Sequence, residues 1–231
     1  LNKESIDDLH ELTDFLLKND HSFNFKPAIS HINDSGSVTD VLTDLADKES
    51  PAVTVMATHG NNSLNTFLLG NHCRKMIDAT KGLLMLIPSA APIAPIKKIA
   101  FATDFKEPEK DLKIIYELIR LIRPLNAELL VTHITRGAWP DKKLRESLEQ
   151  FLVDISNKAD YPHIYYRIVR SDKPEKGLEW LCDHGQVDVL AMVHRERSFL
   201  SEILSISHTK KMAGLIHIPL LVIPENFIQK S

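Results

Sequence analysis

Gly60 and Gly70 bracket a polar loop, which joins an uncharged β-branched run ending at Thr58 to a helical stretch from about Gly70 to Ala79. The chemistry open to such a crossing is capture of a phosphate. Glycine lets the backbone approach an anion and take up conformations closed to other residues, and the free N–H groups of the following helix start face the ligand. The corresponding loop of the second half opens Arg195-Glu196-Arg197. A carboxylate at Glu196 repels a phosphate and the flanking arginines attract one, so a solvated charged loop is the simpler expectation. Asp104 closes an apolar run and precedes Pro108, a placing that suits a helix-capping carboxylate.

Other reactive residues assemble less well. Cys182-Asp183-His184 puts a thiol near an imidazole, but adjacency along the chain does not orient them for attack. His72 and His208 recur at one helical position with no second ligand at i, i+4, so each reads as a partly buried polar residue. Trp139 and Trp180 fall on or near apolar helical stripes and are expected in core or interface packing. Cys73 and Cys182 lie in different repeats with no second cysteine nearby, which argues against a disulfide framework or a structural zinc. No residues group as nucleophile, base and oxyanion donor, so no enzyme is expected.

The elements that must position these residues come as a repeat. Met56 to Pro88 returns 136 residues later as Met192 to Pro224 without a gap; Leu64, His72, Lys75, Met76 and Leu84 meet Leu200, His208, Lys211, Met212 and Leu220. That period is far longer than the roughly 20–50 residues of solenoids, so a whole domain is duplicated. Ile6, Leu9, Leu12, Leu16 and Leu17 space as a helix over Lys3 to Leu17, residues Phe23 to Ile29 suggest a short strand, and Ser37 caps a second helix. Pro51 to Thr58 reads as a strand buried on both faces of a parallel sheet, and Gly82 to Ile87 closes the unit. After the proline-rich stretch Pro88 to Pro95, strands at 98–103, 127–134, 164–169, 187–193 and the last residues alternate with helices at 111–124, 143–155, 175–182 and one more. This alternation is a doubly wound α/β domain with a parallel sheet. Boundaries follow at 1–88, a linker 89–96, a second domain 97–225 and a tail 226–231. By that template the first copy lacks a first strand, first helix and second strand, roughly forty residues, which suggests a fragment whose open sheet edge associates with other chains.

The chain carries a formal net charge of −3 with its basic residues dispersed, which gives nucleic acid no patch to bind. No apolar run approaches the ~20 residues of a membrane span and the first residues have no signal-peptide grammar, so a cytoplasmic protein is expected.

Lys97 to Phe105, His217 to Ile223, and Val55-Met56-Ala57-Thr58-His59-Gly60 with Leu64 to Gly70 resemble the tandem universal stress proteins over nearly the whole chain. The resemblance implies two Rossmann-like, adenine-nucleotide alpha-hydrolase-like domains. The first loop is similar to the family's nucleotide-binding segment G-x2-G-x9-G-[ST], with Ala57 for the leading glycine, Gly60 and Gly70 kept, and Asn71 for the hydroxyl residue. His59 matches a common family residue, and Asp104 the strand-end acid that contacts the nucleoside. The second loop keeps only Ser207; Val193, Glu196 and Ile206 stand where three glycines would be. The implied role is a non-enzymatic stress-response or signalling protein with degenerate loops and no cofactor. The alternative is an adenine-nucleotide switch that binds ATP or AMP in the first half and hydrolyses ATP slowly. Family members use their final strand in antiparallel dimer contact, which implies a pseudo-dimer through Leu83–Ile87 and Leu220–Ile223, and a homo-oligomer beyond it.

Overall fold

The computed structural model describes residues 3–20, 25–58, 71–135, 142–195 and 217–230. Two compact units divide the chain, Leu1–Val41 and Leu42–Ser231. The first holds helix α1 (Lys3–Lys18), whose Leu12, Phe15 and Leu16 are exposed. Residues 25–36 carry neither helix nor strand, so no strand forms at 25–29; residues 21–24 lie outside the described ones. Pro27 removes a ladder donor there.

Helix α2 (Val38–Glu49) leads into the second unit, which is built on one continuous sheet. Its strands are β1 (Thr54–Thr58), β2 (Leu84–Pro88), β3 (Lys98–Thr103), β4 (Glu128–Thr135), β5 (Ile164–Arg170), β6 (Val189–His194) and β7 (Leu220–Pro224). They lie in the order β1-β2-β7-β6-β3-β4-β5. Every pairing is parallel except β2 with β7, where Leu84, Met85 and Leu86 oppose Val222, Leu221 and Leu220. The two closing strands thus meet antiparallel, as their resemblance implied. Helices α3 (Asn71–Ala79) and α6 (Pro174–His184) pack with one face of the sheet through Met76, Ile77 and Leu181. Helices α4 (Pro108–Ile122) and α5 (Lys142–Lys158) pack with the other through Ile114, Ile115, Leu118 and Phe151. Alternate strand residues serve the two cores, Ala100 and Met192 one, Phe101 and Ala191 the other, as the two-residue period of a strand requires.

The repeat is longer in the structure than in the sequence. Val38 and Pro174, the first residues of α2 and α6, already stand 136 apart. Ser50 (φ 47°) and Gln186 (φ 51°) take the same left-handed turn after those helices. Asp47 pairs with Lys81 at 2.5 Å, and their counterparts Asp183 and His217 pair at 3.6 Å. Side-chain identity changes while the clasp between helix end and strand start persists.

β1 departs from the expectation of a strand buried on both faces: Val55 is 60% exposed and Ala57 is exposed too. Among the described residues the strand lies at the sheet edge, paired with β2.

Candidate functional site

β3 and β6 lie side by side and parallel, yet the chain leaves β3 towards β4 and leaves β6 towards β7 on opposite sides. Sheets of this kind bind ligands in the crevice outside the carboxyl ends of such a strand pair. Thr103 and Asp104 come from the end of β3, His194 and Arg195 from the end of β6.

Among the described residues, a buried ion pair lies at the carboxyl ends of these two strands. Asp111, in the first turns of α4, is fully buried and Arg195 is 9% exposed. An Arg195 guanidinium nitrogen lies 2.6 Å from Asp111 Oδ1, while the Thr103 hydroxyl donates to Oδ2. Arg195 Nε also makes an ion-pair contact with Glu107 at 3.0 Å, without the alignment of a hydrogen bond. Lys110 joins Glu107 (2.9 Å) to Glu225 (2.8 Å), which follows β7. A small hollow of about 10 Å³ lies among Thr103, Asp104, Asp111, Val193 and Arg195. Burial pushes the Asp111 carboxyl up, against the opposing pull of the Thr103 hydroxyl and the guanidinium. The Lys110 hydrogen bond holds Glu107 below its ordinary value.

Asp104 is not the cap of α4. Glu107 is the N-cap residue and makes no side-chain cap bond, with Pro108 filling the first helical position. Asp104 instead accepts from the Lys106 amide at 3.1 Å and pairs with its ammonium at 3.1 Å. Between them Phe105 sits at φ 54°, its amide donating to Thr103 Oγ1 at 3.0 Å. The Phe105 ring packs edge-on against His133 and Phe151.

His133, buried at the end of β4, donates from Nδ1 to the Thr103 carbonyl at 3.1 Å. Burial lowers its pKa below the 6.5 of a free imidazole. The unfolded chain therefore takes up this proton first, so the stability tied to neutral His133 is complete above about pH 6.5 and is lost as the pH falls towards the folded value. His133→Gln is expected to weaken the acid dependence: between pH 7 and 5 its urea midpoint should drop less than that of the parent protein. An equal drop in both would contradict the assignment.

In the first half, Ala57 lies exposed near the end of β1 and Asn71 exposed at the first residue of α3, while His59, Gly60 and Gly70 lie outside the described residues. Because β2 and β7 run antiparallel, the carboxyl ends of β1 and β3 point to opposite edges of the sheet. Ala57 and Asn71 therefore do not share a site with Asp104. Glu196, Arg197, Ile206, Ser207, His208 and Trp139 also lie outside the described residues.

The remaining candidates fall away from chemistry. Burial pushes the Cys182 thiol up to about 12 and raises Cys73 as well, so neither is a thiolate near neutrality. The His184 ring stacks on Trp180 at 5.3 Å. Trp180 is 45% exposed, not a core residue, because the surface ring of His184 is what it covers. His72 is exposed rather than partly buried, since its neighbour Cys73 takes the inward position. Open hollows of about 400 and 640 Å³ lie at the amino ends of β1 and β5, away from the ligand-binding ends of the strands. Sequence reasoning missed Asp111, His133 and His194, whose Nε2 lies 3.1 Å from Asp78 of the first half. Asp111 left a signal: it falls on the apolar stripe of Ile114, Ile115 and Leu118, where an acid needs a buried partner.

No family model matches the sequence, and comparison with curated proteins finds no match. Solved structures match its fold. A universal stress protein from Archaeoglobus fulgidus superposes with a TM-score of 0.65 at 13% identity, over 96% of this chain and 77% of its own. A putative universal stress protein from Pseudomonas aeruginosa gives 0.65 at 13% identity, over 100% and 82%. About a fifth of each solved chain thus has no counterpart in this one. The cytoplasmic domain of a prokaryotic cation chloride cotransporter gives 0.53 at 11% identity, over 83% and 72%. The chain has the fold of the universal stress proteins, a mostly parallel α/β sheet flanked by helices.

Proposed function

We propose that the protein is a tandem universal stress protein, a non-enzymatic stress-response or signalling module of two halves, 1–88 and 97–225, joined by the linker 89–96. The second half keeps its own side chains where a nucleoside would sit. The observation that carries this reading is the buried pair of Arg195 and Asp111 at the carboxyl ends of β3 and β6. An adenine nucleotide entering there would have to displace a guanidinium from a buried carboxylate, which costs several kcal/mol before any contact is gained. Asp104, which follows β3, is already engaged by Lys106. Fold alone does not assign activity. Among the described residues no group of His, Cys, Asp and Glu is placed to hold a metal ion, and no helix is long and apolar enough to cross a membrane. Two buried free thiols support a reducing, cytoplasmic setting.

Calorimetric titration of magnesium ATP, paired with a phosphate-release assay, tests the reading. The expected result is no micromolar binding and hydrolysis at background. Micromolar binding that Gly70→Val abolishes would replace this reading with the nucleotide switch, its ligand held at the first-half loop. Binding that survives Gly70→Val and slows hydrogen exchange of the amides of 103–111 and 193–195 would place the ligand in the second half and refute the filled crevice.

A further inference from the structure

The repeat supplies its own comparison for the hollow of about 400 Å³ at the amino end of β1. Thr54 and Gly82 line it, and so do Ala79 and Thr80 at the close of α3. At the matching positions, 136 residues on, the second half carries Leu190, Ile218, Leu215 and Ile216. Strand pairing agrees with the match, since Thr54 lies beside Leu84 as Leu190 lies beside Leu220. Leu190 is fully buried and Ile218 is 3% exposed, while 215 and 216 lie outside the described residues. Large apolar side chains of one half are thus a glycine, an alanine and two threonines in the other. Nothing in the backbone asks for glycine at 82. Its φ is not left-handed, and a side chain added there would meet no atom within 4 Å. The residue keeps space open and does not serve a turn.

Two charges of opposite sign stand at this hollow. Asp47 and Lys81 both line it and pair at 2.5 Å, with side chains 47% and 62% exposed. An ion pair so exposed holds weakly, so a ligand can open it at little cost. Helices α2 and α3 both finish here, at Glu49 and Ala79, and the partial negative charge of two helix ends adds to that of Asp47. Met76 and Phe227 supply apolar lining. We infer that the hollow binds a small zwitterion of the α-amino-acid class. Its ammonium faces Asp47 and the helix ends, its carboxylate takes Lys81, and a short apolar side chain lies among Met76, Ala79 and Phe227. Ammonium and carboxylate on one carbon match an anion and a cation that already stand in contact, and each gains a charge-assisted hydrogen bond. This site is not the Gly60 loop, which follows the other end of β1 at Thr58.

Calorimetric titration of L-alanine, L-valine and L-leucine into the 231-residue protein tests the inference, with the N-acetyl and amide derivatives of each as single-charge controls. Sub-millimolar binding is expected for at least one of the three, weakened about tenfold or more when either charge is capped. Thr54→Leu with Gly82→Ile copies the second half into the hollow. That variant should lose binding, with a thermal midpoint equal to the parent's or higher. Lys81→Gln, at an exposed position, should weaken binding about tenfold or more with an unchanged circular dichroism spectrum. Absence of binding by all three amino acids overturns the inference, and a hollow filled by another stretch of the chain would give that result. Affinity unchanged in either variant, or shared by the capped derivatives, overturns it too. None of these outcomes depends on nucleotide binding.

Discussion

Arg195→Ala is expected to destabilise the protein by about 3–5 kcal/mol, the range found when one partner of a buried ion pair is removed. Asp111 is fully buried, and without the guanidinium its carboxylate keeps only the Thr103 hydroxyl among the contacts described above. The loss is the cost of a charge left without its counter-ion in a medium that solvates it poorly, not the net worth of the pair. For that reason Asp111→Leu combined with Arg195→Met should come back to within about 1–2 kcal/mol of the parent. Urea unfolding of the parent, Asp111→Leu, Arg195→Met and the double variant closes the cycle. Independent losses that simply add in the double variant would mean that the two groups do not form the pair described.

Leu221→Lys should cost about 4 kcal/mol or more, at the extreme of single substitutions. Leu221 is fully buried on β7, opposite Met85 of β2 and beside Ala191 of β6. The new ammonium would enter the junction of the two halves, within the apolar core under α4 and α5. Val55→Lys introduces the same charge on the same sheet face two strands away, at 60% exposure, and should change stability by no more than about 0.5 kcal/mol. Equal effects of the two substitutions, by thermal or urea unfolding, would contradict the antiparallel junction and the open face together.

Where the pattern of apolar residues was strong, the sequence predicted the elements. The stripe of α4, the β-branched strands and the closing strand of each repeat all stand where periodicity placed them, because burial dictates residue type at those positions. The resemblance to the universal stress proteins implied the β2–β7 contact. It did not reveal that β1 is half open, because an uncharged strand reads the same whether or not a helix covers it. Residues 25–29 have strand composition but no ladder partner, and a strand is stabilised by its neighbours more than by propensity. The crevice was less legible. Arg195 looked like one of two cations beside Glu196, and only the three-dimensional return of α4 beside β6 brings Asp111 against it, 84 residues away. Asp104 read as a cap because short acids before proline often are; the left-handed turn at Phe105 directs it to Lys106 instead.

On the function proposed above, the Arg195–Asp111 ion pair keeps nucleotide out of the second-half crevice. Hydrogen exchange of the intact protein, with and without saturating magnesium ATP, tests it residue by residue. The amides of 103–111 and 193–195 should exchange at the same rates in both samples. Slowed exchange in those two segments would place the nucleotide between β3 and β6 and contradict the claim.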